Sequence, residues 1–240
     1  MFPLFTSVLR WAHTLALTVT VSILCVGVPA HAQGLPGSNP LSSAATQGLF
    51  KAMGQQITTP GRVATGGAQP LALSAFTPTT GRILPARMAA AMPHLKSGEQ
   101  AKIEALYTEL LDSYDHLLEE NGETRLKNNM AGAVMYALMV SHYVLSGEEL
   151  TESQQNGLLD TVNQALSAIP AFNTMTDARK QELYEALILN ASMALALHQE
   201  GAEDPDSEGE AQDLAGTLFT LLIGRDHSAV QFTPAGLRLN

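Results

Sequence analysis

One segment constrains the fold more than any other. Between Asn129 and Ser146, Met130, Ala133, Val134, Tyr136, Ala137, Leu138, Met139, Val140, Tyr143, Val144 and Leu145 leave almost no polar side at helical spacing. A helix that is apolar all round is satisfied either by a bilayer or by enclosure among other helices. This one is shorter than the roughly 20 apolar residues of a membrane span, and it holds His142. It is therefore expected to be the buried centre of a helical bundle. Asn128 or Asn129 can cap its start, and Gly147 closes its end.

The enclosing helices are legible on either side. Ser97 with Gln100 has capping-box spacing, and Ile103, Leu106, Tyr107, Leu110, Leu111, Tyr114, Leu117 and Leu118 form one broad apolar face up to Glu120. Thr151 with Gln154 opens a second helix that runs to about Ile169, before Pro170. A third runs from Thr176 to about Gln199 and a fourth from Ser207 to Ile223, stopped by Gly224. A short helix over Ala86 to Met92 is closed by Pro93. No alternating run of strand length separates these segments, and the short links favour antiparallel neighbours. The tail, with Leu237 and Leu239, is expected to dock on the core. The sequence thus predicts an all-α fold: one helical bundle of about five main helices over residues 76–240, around the central helix 129–146.

Residues 33–75 read differently. They are rich in Gly, Pro, Ser, Thr, Ala and Gln, as in Gly34-Leu35-Pro36-Gly37-Ser38-Asn39-Pro40 and Thr65-Gly66-Gly67-Ala68-Gln69. Such a stretch is expected to be a disordered leader, because it buries too little apolar area to offset ordering, with Gln47–Ile57 as a transient helix. Charge divides in the same way. Lys51, Arg62, Arg82 and Arg87 give residues 33–95 a net of +4. Residues 96–240 hold eight basic residues and all 23 acids, a net of −15. An acidic domain speaks against nucleic acid as a partner, since phosphate contacts need a basic face. The scattered charges of the leader read as a soluble linker rather than a patch.

The first 32 residues have the three parts of a secretory signal peptide. Arg10 precedes an apolar core, Leu15 to Val28, and Pro29 leads into Ala30-His31-Ala32. Cleavage is expected after Ala32, which leaves no stable membrane span and places the protein in the periplasm or outside the cell. An uncleaved anchor is disfavoured by the short run and its proline. Lipidation at Cys25 is disfavoured by Leu24, where a small residue is wanted. Cys25 is the only cysteine. The mature chain therefore has no disulfide, no thiolate metal site and no cysteine nucleophile.

Several short motifs carry a resemblance. Asn128-Asn129-Met130-Ala131 opens an apolar helix, Gln181-Glu182-Leu183-Tyr184-Glu185 opens another, and Leu222-Ile223-Gly224 and Phe232-Thr233-Pro234-Ala235-Gly236-Leu237 follow near the end. In this order the chain, from Phe76 to Leu237, resembles a family of exported bacterial proteins known only as a domain of unknown function. The lead-in Glu123-Thr124-Arg125-Leu126-Lys127 departs from it, since similar proteins carry a Gly or Pro before the Asn pair. The resemblance implies an exported, mostly helical protein and no particular activity.

Asn128, Asn129, Tyr184 and Glu185 are the most motif-like polar set. They are candidates for a ligand site at the mouth of the bundle, against the alternative that an Asn caps a helix and the others bond to helix ends. His142 suggests acid–base chemistry, but no Ser, Asp or Glu stands at a spacing that would complete a triad, and a core histidine with one hydrogen bond is favoured. Asp204, Asp206, Glu208 and Gly209, within Asp204–Glu210, match part of a calcium loop, but Ala215 stands where the bidentate Glu belongs. Their acids suit the start of a helix. Zinc-protease, hydrolase, phosphate-loop and dinucleotide signatures are absent, so no cofactor is expected. The overall expectation is a non-enzymatic binding or accessory protein of the cell envelope, with a protein partner left open.

Overall fold

The computed structural model describes residues 39–58, 69–202 and 204–240. The signal-like segment, Cys25 and the stretches 33–38 and 59–68 of the expected leader lie outside the described residues. The chain is an all-α bundle with one small hairpin. Its helices are α1 (Ala44–Thr58), α2 (Leu84–Ala90), α3 (Ser97–Glu120), α4 (Met130–Ser146), α5 (Glu152–Ser167), α6 (Pro170–Asn173), α7 (Asp177–Glu200) and α8 (Pro205–Ile223). The hairpin pairs β1 (Val230–Thr233) antiparallel with β2 (Gly236–Leu239), Phe232 opposite Leu237.

α4 is the centre, as its all-round apolarity requires. Every residue from Met130 to His142 is buried, and α5, α7 and α8 enclose the helix. Asn129 caps it, its side-chain oxygen accepting from the Gly132 amide at 3.0 Å. The α2–α3 pair lies outside α7, and the hairpin lies on α5. Local start signals hold to within a residue or two. Thr151 caps α5 through its box with Gln154, and Thr176 caps α7 by accepting from Arg179. At α3 the box shifts by one, with the Lys96 amide donating to Glu99 at 2.7 Å. Among the described residues, no helix is long and apolar enough to cross a membrane.

Two expectations need correction. The stretch 33–75 is not leader throughout. α1 buries Leu49, Phe50, Met53 and Ile57, a stripe at helical spacing, against α8 and α5. At about 1.5–3 kcal/mol for each large apolar side chain removed from water, that burial is ample to order a helix of low intrinsic propensity. Gly54 lets α1 approach α8 so closely that a Cβ there would strike the Ile223 carbonyl. Residues 69–75 are also built in, through the Leu71–Leu73 turn and an Ala75–Asn129 bridge. In the tail, Leu237 docks and is buried, but Leu239 remains exposed with Arg238 at the far end of β2, where the strand has run past the core.

Candidate functional site

The four candidate residues come from two places in the chain, the Asn pair before α4 and the third turn of α7. The structure brings them to one side of the bundle, where the segment 69–91 crosses it. Asn129 is fully buried. Besides capping α4, its amide nitrogen donates to the Leu71 carbonyl at 2.8 Å, and Ser74 Oγ lies 3.0 Å from its oxygen. Asn128 takes a left-handed backbone, φ 52°, and its carbonyl accepts from the Phe76 amide at 3.0 Å. Asn tolerates that conformation better than most residues.

Glu185 is completely buried and caps α2 from a distance of 101 residues in sequence. One carboxylate oxygen accepts from the Leu84 amide at 2.7 Å and the Ile83 amide at 2.9 Å, and the other accepts from the Gln181 side chain at 2.8 Å. Carboxylates belong at helix starts, where amides point outward unpaired. Tyr184 sits in an aromatic cluster with Phe76 and Tyr114, at centroid distances of 5.3 and 6.1 Å. Its hydroxyl lies 3.4 Å from Asp115 Oδ1. Burial, reinforced by the Asp115 charge, holds this phenol well above its ordinary pKa. It is a neutral donor, not a base.

Neighbouring residues that sequence reasoning passed over complete the arrangement. Gln181 accepts from both the amide and the hydroxyl of Thr79, at 2.7 and 2.8 Å, and donates to the Gly81 carbonyl. Arg82 reaches Asp112 and Asp115 at 2.7 and 2.9 Å. Glu182 pairs with Arg87 and Arg179, and Arg179 in turn donates to Thr46 Oγ1 at 2.7 Å, at the start of α1. Asn163 on α5 accepts from Ser74 at 2.7 Å and donates to the Gln69 carbonyl at 2.9 Å. The first turns of α7, with Asn129 and Asn163, thus fasten the crossing segment along its length. Only the polar richness of Arg179-Lys180-Gln181-Glu182 on an otherwise buried helix hints at this in the sequence, and it does not name the partners.

His142 makes a single side-chain bond, Nδ1 to His227 Nε2 at 2.7 Å. Burial pulls its pKa down to about 4, with His227 adding to the shift. The acidic stretch opens α8. Asp204 accepts from the Asp206 amide and the Ser207 hydroxyl, and Glu208 bonds His198 at 2.7 Å. Among the described residues, no group of three or more His, Cys, Asp or Glu is placed to hold a metal ion.

The fold and the polar crossing define a helical-bundle protein whose N-terminal segment is bolted to its core. The chain belongs to a family of unknown function, DUF6683, whose profile matches residues 12–240. No curated protein and no solved structure matches it.

Proposed function

We propose that this is an exported bacterial protein of the periplasm or the surrounding medium, acting by binding as an accessory to another envelope component and not by catalysis. The observation that carries the export part is the ordered run of Arg10, the apolar core Leu15 to Val28, Pro29 and Ala30-His31-Ala32, the pattern a signal peptidase reads. The binding part is supported by how the polar groups are used. Asn129, Glu185 and Gln181 each bond backbone groups of the segment 69–91, and their remaining bonds go to other groups of the fold. Tyr184 is held neutral. In this reading Asn128, Asn129, Tyr184 and Glu185 are fasteners of the fold.

Expression of the full chain with a C-terminal tag in a bacterial host tests export. The tagged protein should leave the cytoplasm, and its intact mass should correspond to a chain starting at Gln33. A full-length mass confined to the cytoplasm would overturn the proposal.

A further inference from the structure

His142 lies near the end of the central helix α4, and His227 lies in the single 3-10 turn, His227–Ala229, that joins α8 to β1. The 2.7 Å bond between them needs one ring nitrogen to donate and the other to accept, so it needs a proton on one facing nitrogen and none on the other. Their surroundings are aromatic. Phe232 of β1 lies 4.6 Å from the His142 ring, and Phe219 of α8 lies 5.1 Å from the His227 ring. The two imidazoles are the polar centre of an apolar seam between α4, α8 and the hairpin.

The charged groups around this seam are few. Glu148, just after α4, acts on His227. Asp226 adjoins His227, and Asp213 of α8 lines the same surface cleft. From α5, Gln154 contributes an uncharged amide, donating to the Phe232 carbonyl at 3.0 Å. In the hairpin, Arg238 pairs with Gln231, on the side away from the buried Phe232. Among the described residues, no carboxylate forms an ion pair with either imidazole, whereas His116 faces Glu119 and Glu120 and His198 faces Glu208.

We propose that the His142–His227 pair is a pH-operated latch, which holds the C-terminal hairpin on the bundle while the pair shares one proton and releases it when both rings are charged. A proton on the accepting nitrogen as well removes the acceptor and, with both rings charged, sets two cations face to face, the His142 ring buried and the His227 ring at the cleft. The hairpin is joined to the helices through residues 224–229, and none of the described helices follows it, so its release leaves their chain path as it is. Asn240 bonds back to Ala229 and Ser228, inside the segment that would move.

The sign follows from burial, which pulls both rings below the ordinary 6.5, His142 to about 4. The latch contribution is complete above pH 6.5 and is lost as pH falls below it. At pH 5 the balance should move toward release by about tenfold, a conservative share of the 1.36 kcal/mol per pKa unit that separates the two states of His142.

Amide hydrogen exchange, corrected for the intrinsic effect of pH, tests this on the purified protein. Protection of residues 230–239 should fall about tenfold between pH 7 and pH 5 while that of α7 is unchanged, and His227→Gln, which keeps a donor but cannot charge, should lessen the fall. Hairpin protection that is independent of pH in the wild type, or that falls equally in His227→Gln, overturns the latch. Nitrogen chemical shifts of the two imidazoles give a second measurement that needs no variant. Both rings should titrate below 6.5, and either one titrating at or above 6.5 overturns the latch.

Discussion

Glu185 is the residue on which the crossing segment most depends. Its carboxylate answers two amides at the start of α2 and one side-chain amide, from a position with no exposed surface. Glu185→Ala leaves these donors buried and unpaired, and should cost about 3 kcal/mol in urea denaturation. Asn129→Ala removes a helix cap and the tie to Leu71 together, and should cost about 2 kcal/mol in the same measurement. A variant at either position with wild-type stability would remove the fastening role. The two residues differ in how far the sequence exposes them. Asn129 could be read as a cap because its helix starts at the next residue. Glu185 could be read only as bonding to some helix end, because its partners at Ile83 and Leu84 are a hundred residues away and nothing local to α7 specifies them.

Among the elements, legibility follows burial. α4 was plain because its apolarity has no gap. α1 was read as a transient helix inside a leader because Gly48, Gly54 and its three glutamines mask a stripe of four large apolar residues. What orders that stripe is a surface offered by α8 and α5, which composition does not reveal. The hairpin was missed for a similar reason, since a strand of four residues is too short to show alternation. Its seat depends on Gly157 of α5. A Cβ there would meet the Pro234 carbonyl oxygen, the Pro234 carbonyl carbon at 2.7 Å and the Gly236 amide at 2.8 Å. These are backbone atoms and cannot swing aside. Gly157→Ala should therefore lower stability by about 2 kcal/mol through overpacking, despite the better helix propensity of Ala. The measurement is thermal unfolding together with exchange of the 230–239 amides. An Ala variant more stable than wild type would show that the hairpin sits farther from α5.

For the whole molecule, the boundary of the folded unit lies well before Phe76. A chain beginning at residue 69 would uncover the surfaces of α5 and α8 that Leu49, Phe50, Met53 and Ile57 now occupy. It should melt several degrees lower than a chain beginning at residue 39, and should bind a hydrophobic dye that the longer chain excludes. Equal melting and equal dye binding would reduce α1 to an ornament. The helical class and the single core were readable because one enclosed helix demands several enclosing ones. The manner of enclosure was not, since it rests on pairings between distant parts of the chain.

The neighbours of α1 also bear on timing. It is the earliest of the described α-helices to be synthesised, yet it rests on α8 and touches β2, two elements far downstream in the chain. A ribosome delivers the chain in order, so the seat of α1 does not exist until α8 has been made. Contacts of such long sequence separation close slowly. The nascent protein must carry the open apolar flank of α1 until then, and α8 is the keystone that lets this helix come to rest.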